Sequence, residues 1–191
     1  MQNLKQKSFL KKYWLDFLLA AALFILLFST GSKSWLLNKL LYTGLFNART
    51  DIPSAIKAPE IQFQDSRGRI ISTRQLLGKA VFLNFWATWC PPCLAEMPGI
   101  NELHNDLRQD TNIVFLMVDV DGDLKKSSAF MTGHGYELPV YSSLGAMPAE
   151  IMSGTTPTTV IISPDGRIVH RKEGMSRYNT TAFESWIRGL H

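Results

Sequence analysis

Cysteine is nearly missing from this chain. Among 191 residues there are two, Cys90 and Cys93, separated by two prolines. A small secreted domain stapled by disulfides spreads several cysteines along its length. Here none are left over for structure, so burial must hold the fold and both thiols are free for chemistry. Acid is scarce at one end: residues 1–49 carry seven Lys and Arg against Asp16 alone, while the remaining 142 hold 13 basic and 15 acidic side chains. The pI of 9.1 therefore belongs to the N-terminal quarter. A nucleic-acid footprint would lie on the folded part, which is slightly acidic, so no nucleic-acid partner is expected. Paired histidines are absent too; His104, His134, His170 and His191 stand singly. No internal repeat is present. The length suits one domain plus an appendage.

What is present first is a long apolar run. Tyr13 to Thr30 reads YWLDFLLAAALFILLFST, with Asp16 as its only charge. As a helix it would span about 27 Å, close to one hydrocarbon thickness. It is apolar all round rather than on one stripe, and Ser29-Thr30-Gly31 is a poor cleavage site, so a retained anchor is preferred over a signal peptide or core helix. Four lysines precede the run, which puts residues 1–12 in the cytoplasm and the rest outside it. For a bacterium, this means a single-pass inner-membrane protein with a periplasmic catalytic domain. Residues 31–56 read as an interfacial helix and linker. Trp35, Leu36, Leu37, Leu40, Leu41 and Leu45 recur at helical spacing over 34–46, suited to the outer face of the bilayer or to packing on the domain. Asn47 to Pro59 reads as linker.

Residues 57–191 form the expected domain. Ile61–Gln64 and Arg69–Ser72 flank Asp65-Ser66-Arg67-Gly68, a hairpin. AVFLNFW at 80–86 and IVFLMV at 113–118 are strands buried on both faces. A helix runs from about Pro92 to Arg108, interrupted at Pro98; others span Lys125–Gly133 and start at Thr181, with Thr181 and Glu184 as a capping box. Leu138–Tyr141 is a short strand, and Thr158–Ser163 with Arg167–Lys172 a second hairpin. The class is α/β with a mixed central sheet.

The CPPC pair has three chemical meanings. Zinc needs two further ligands, haem attachment needs His after the second cysteine, and position 94 is Leu. The remaining reading is redox. Disulfide exchange requires a thiolate, and a helix N-terminus stabilises one with its dipole and free N–H groups. Cys90 at the helix mouth is the expected exposed nucleophile, and Cys93 the resolving thiol. Pro91 and Pro92 offer no N–H and no charge, so the thiolate is only moderately stabilised, which favours a reductant. Glu96, three residues beyond Cys93, shares its helix face; a carboxyl beside a buried thiol can exchange protons with it. Thr155-Thr156-Pro157 opens a strand, where a first-position proline is allowed; the redox fold that WATWCPPC resembles carries a cis-proline in the loop facing the dithiol, and that resemblance implies 156–157 as the candidate cis bond. Asp119-Val120-Asp121-Gly122-Asp123 lacks the acid a calcium loop needs at position 130, which is Phe. No metal site and no cofactor are expected.

FLNFWATWCPPCLAEMP at 82–98, with Thr156-Pro157-Thr158 and Ser163-Pro164-Asp165-Gly166 downstream, resembles the thioredoxin-like proteins of the TlpA/ResA type over roughly residues 57–190. That resemblance implies a thioredoxin-like fold with an N-terminal hairpin at 60–72 and an insertion at about 124–153, preceded by a transmembrane helix. It implies catalytic Cys90, Cys93 and Glu96, a substrate groove at Trp89, Thr156 and Pro157, protein disulfide substrates and a membrane electron donor, as in cytochrome c maturation. Asn84 stands where thioredoxin has a buried aspartate, which moves the acid–base role to Glu96. Two rival functions remain: a thioredoxin-fold peroxidase, and a membrane-tethered copper chaperone.

Overall fold

A computed structural model describes residues 14, 16–21, 23–24, 30–42, 46–48 and 56–190. In chain order the elements are helix α1 (Thr30–Leu41), strands β1 (Ile56–Lys57), β2 (Gln62–Asp65) and β3 (Ile70–Ser72), a 3-10 turn (Thr73–Leu76), β4 (Ala80–Trp86), α2 (Pro91–Leu107), β5 (Ile113–Asp119), α3 (Leu124–Gly133), β6 (Val140–Leu144), β7 (Thr158–Ile162), β8 (Arg167–Glu173) and α4 (Thr181–Arg188). The eight strands form one sheet in the order β1-β8-β7-β4-β5-β6-β2-β3. It is mixed: β4 runs parallel to β5 and antiparallel to β7.

β4 is the axis of the molecule, and all seven of its residues are buried. Side chains alternate across a strand, so the run divides between two cores. Ala80, Phe82 and Trp86 join Met97, Ile100 and Leu103 of α2 and Phe183 and Ile187 of α4. Val81, Leu83 and Phe85 join Phe63, Leu116, Val160 and Ile162 on the other face. A continuously apolar sequence is what a strand covered on both sides requires. Asn84 is the one polar residue in it, and it faces the first core.

Two elements depart from the sequence expectation by more than a residue's end-fraying or in their capping. The strand expected at Leu138–Tyr141 starts later and runs further, Val140 to Leu144. Pro139 has no N–H and contributes only its carbonyl, to Met117 N–H at 3.2 Å. The cap of α4 is Thr180, not Thr181: Thr180 has the extended backbone of an N-cap (φ −112°, ψ 142°) and its hydroxyl accepts from Phe183 N–H. Glu184 instead reaches Arg188 at 3.0 Å. A capping box is instead formed by Ser72 and Gln75. Gly68 and Gly166 close the two hairpins with φ of 79° and 78°, a backbone that only glycine adopts freely.

Eight of the 18 residues of the 13–30 span, and all of the 1–12 segment, lie outside the described residues. No helix among the described residues is long and apolar enough to cross a membrane. Helix α1 covers much of the expected 34–46 helix. Ser34 and Leu41 are buried, whereas Trp35, Leu36 and Leu40 are exposed. One side of α1 therefore packs on the domain and the other faces outward. Within the expected linker, Ile56–Lys57 pairs with β8 and Asn47 bridges Arg177.

Candidate active site

The chain leaves β4 at Trp86, turns through Ala87-Thr88-Trp89 and enters α2 at Cys90. Cys90 is the N-cap, with extended backbone (φ −91°, ψ 102°) and Pro91 and Pro92 filling the first helical positions. Proline suits those positions because the N–H it lacks would be unpaired there anyway. One consequence is local: the first N–H that α2 can offer belongs to Cys93, and it points at Cys90 Sγ, 3.3 Å away. The two sulfurs are bonded to each other, with Cα atoms 5.3 Å apart. The structure thus shows the oxidised form.

Burial corrects one expectation. Cys90 is only 3% exposed and Cys93 not at all. As the cap, Cys90 folds its side chain back over the first turn and bonds to Cys93, so it is no projecting nucleophile in the oxidised state. Its neighbour Trp89 is the outward group, 56% exposed, with its indole N–H donating to Asp121 Oδ2 at 2.7 Å. Asp121 lies in the acidic turn after β5, whose Asp119 accepts from Ser127 Oγ at 2.5 Å and whose Asp123 caps α3.

One turn beyond Cys93, Glu96 is buried among polar partners. Its Oε1 accepts from Asn84 Nδ2 at 2.8 Å, and its Oε2 from the Ser176 N–H at 3.0 Å. Asn84 also donates to Thr159 Oγ1 at 2.9 Å, joining β4 and β7 beneath the dithiol. Burial disfavours the ionised form and outweighs these two donors, raising the Glu96 pKa from 4.5 to about 8. Tyr178, fully buried, is pushed well above the tyrosine range by burial first and then by the Glu96 charge. At 2% exposure, Glu96 is no surface carboxylate.

Thr156 and Pro157 come to the same end of the sheet by topology. β7 is antiparallel to β4, and Thr158 pairs with Phe85, so the residues just before β7 sit beside the end of β4 that feeds the dithiol. The Thr156–Pro157 bond is cis. Thr158 Oγ1 donates to the Thr155 carbonyl at 2.6 Å, which shapes that loop. Sequence reasoning missed Ser176, Thr159, Tyr178 and Asp121. Asp121 was seen only as part of the acidic 119–123 turn, the other three belong to no motif, and each reaches the site through a distant strand or loop.

Comparison with known proteins places this arrangement. A sequence profile described as the AhpC/TSA family matches residues 55–171. The chain is 33% identical over 132 residues to a thiol-disulfide oxidoreductase ResA of Bacillus thuringiensis (strain Al Hakam), covering 69% of this chain and 76% of that protein. A thiol:disulfide interchange protein of the thioredoxin family from Chlorobium tepidum TLS superposes with a TM-score of 0.56 at 25% identity, over 73% of this chain and 99% of its own. Another Chlorobium tepidum structure superposes with a TM-score of 0.61 at 22% identity, over 73% and 99%, which shows the common thioredoxin-like fold.

Proposed function

The chain belongs to the AhpC/TSA family and is a thiol–disulfide oxidoreductase acting through Cys90 and Cys93; on that footing we propose that it works as a membrane-tethered reductant of extracytoplasmic protein disulfides, with Glu96 as its proton store. The observation that carries this reading is a buried, protonatable carboxyl one helical turn beyond the resolving cysteine, at the mouth of a helix with no charged stabiliser in its first turn. Helix α2 opens with two prolines, so little besides the Cys93 N–H favours a Cys90 thiolate. A dithiol whose reduced form is weakly stabilised is a weak oxidant and a good reductant.

The reaction with the client balances in three steps. The Cys90 thiolate attacks one sulfur of the client disulfide, forming a mixed disulfide and releasing one client thiolate. Cys93 gives its proton to the Glu96 carboxylate. The resulting Cys93 thiolate attacks Cys90 Sγ, forming the 90–93 bond and releasing the second client thiolate. Two electrons have passed to the client. Glu96 is left protonated, in accord with a pKa of about 8 in the oxidised form. When a donor thiolate attacks Cys90 Sγ, the 90–93 bond breaks and Glu96 returns its proton to the departing Cys93 thiolate; the donor's second thiolate then displaces Cys90 as a thiolate, and the donor is left as the disulfide. Trp89, exposed beside Cys90, together with Thr156 and Pro157, would form the client groove.

The tether rests on different support. The apolar run of 13–30 has one charge in 18 residues and is flanked by lysines. Where described, its large side chains are exposed, Phe17 at 70% and Leu19 at 65% among them, which suits lipid and not water. The electron donor would accordingly be a membrane protein.

Measuring the reduction potential of the 90–93 pair in the full-length chain tests the direction. A value near that of thioredoxin, about −270 mV, is expected; one near about −120 mV, typical of a strong oxidant, would reverse it. Cys93→Ser should accumulate a mixed disulfide with the client through Cys90, whereas Cys90→Ser should not. Trapping through Cys93 instead would overturn the assignment of roles.

A further inference from the structure

Glu96 is walled on two sides, and one wall is built by residues that precede the domain. Ser176, whose N–H holds Glu96 Oε2, donates its hydroxyl to the Phe46 carbonyl at 2.9 Å. The same carbonyl accepts from Arg177 N–H at 2.7 Å, and Ala48 N–H donates to the Arg177 carbonyl at 3.0 Å. Residues 46–48 therefore pair with 176–177 like a fragment of strand. From α1, Asn38 Nδ2 donates to the carbonyl of Ala95, directly before Glu96, at 2.7 Å. Leu41 is buried against the domain, and the Arg177 guanidinium lies over the Tyr42 ring at 4.8 Å. The space left among Asn38, Leu41, Tyr42, Glu96, Ser176 and Arg177 is about 10 Å³, at the lower limit for one water.

We propose that α1 and residues 46–48 are a positioning element for the exchange reaction, in which Asn38 and Leu41 seal the Glu96 chamber and Phe46, through Ser176, holds the donor that fixes its carboxyl. The inference rests on the reading of Glu96 as proton store and adds what keeps that store dry. Opening the wall would admit water to the carboxylate and lower its proton affinity toward the ordinary range. The titratable groups around Glu96 are Tyr178 after β8, which feels its charge, and Arg177 across the chamber; Cys93, one turn back on the same helix, is held in the disulfide of the oxidised form, and β4 offers the neutral Asn84. Lys33 and Lys39 of α1 are exposed, Lys39 over the Trp35 ring.

The experiment uses the oxidised full-length chain in detergent micelles. The rate of reduction by dithiothreitol, expressed per attacking thiolate, is followed against pH. In the native chain the rate should fall as pH rises through about 8, where Glu96 loses its proton. Glu96→Gln should abolish that limb. Asn38→Ala and Leu41→Ala should keep it but move its midpoint down by about one pH unit or more, while Lys33→Ala leaves it in place. If Glu96→Gln keeps the limb, the proton-store reading fails and this inference with it. If Glu96→Gln removes the limb and neither wall variant moves it, the inference alone is overturned. Infrared titration of the protonated Glu96 carboxyl, identified by its loss in Glu96→Gln, supplies a second readout. In a wall variant that melts as the native chain does, an unshifted carboxyl titration would equally overturn it.

Discussion

Glu96 makes stability depend on pH in a direction opposite to that of most carboxylates. Its folded-state pKa of about 8 lies above the ordinary 4.5. Between those values the folded oxidised chain keeps a proton that the unfolded chain has released. Stability from this group is therefore fully present below about pH 4.5 and is lost as pH rises through about 8, by up to about 1.4 kcal/mol per pH unit. Glu96→Gln should remove the slope, so urea unfolding from pH 4 to 9 should show the variant gaining on the native chain by a few kcal/mol, on the order of 2–4. Parallel curves would sink this. Asn84→Ala takes away one of two donors to the carboxylate and should raise the Glu96 pKa further, visible as a later infrared titration. The sequence indicated Glu96 through its i+3 spacing from Cys93 and flagged Asn84 as unable to accept a proton. That Asn84 would be bonded to Glu96 itself was not legible, because the two residues lie on different elements.

At the scale of elements, legibility followed patterning. β4 was readable to the residue because AVFLNFW is apolar on both faces and both faces are covered. β6 was not, because its half-buried VYSSL carries serines that signal loop, and its pairing with β2 and β5 supplies the stability that its composition lacks. Substitutions should follow the same division. Phe82→Ala empties a site where Phe115, Tyr178 and Phe183 rings converge and should cost about 3–5 kcal/mol. The corrected cap of α4 is as testable: Thr180→Ala should lower stability by about 1 kcal/mol, with Thr181→Ala close to neutral. Chemical denaturation of the pair decides between the two threonines, and equal losses would contradict the cap seen here.

For the whole molecule, the sheet order explains why the site assembles. β7 lies beside β4 although 71 residues separate Trp86 from Thr158, and this brings Pro157 and Thr159 to the end of α2. The N-terminal quarter contributes at the same scale, with one side of α1 against the domain and Trp35, Leu36 and Leu40 outward. If residues 13–30 cross a bilayer, these side chains lie near its outer surface. The expected outcome is that the full-length chain stays in the membrane fraction through high-salt and carbonate washing, and that its domain is digested by protease added to spheroplasts. Release by salt, or protection from protease, would refute the proposed tether or its orientation.

The sequence by itself determined the dithiol, its place between a buried strand and a helix, and the candidate role of Glu96. These depend on local spacing: two prolines after Cys90, three residues from Cys93 to Glu96, seven apolar-rich positions before the turn. Only the tertiary structure decided that Glu96 is buried, that Cys90 is covered in the oxidised state, and that Ser176, Phe46 and Asn38 come together around the carboxyl. Burial and hydrogen bonding between residues as much as 130 positions apart are properties of the packed chain, and no local pattern encodes them.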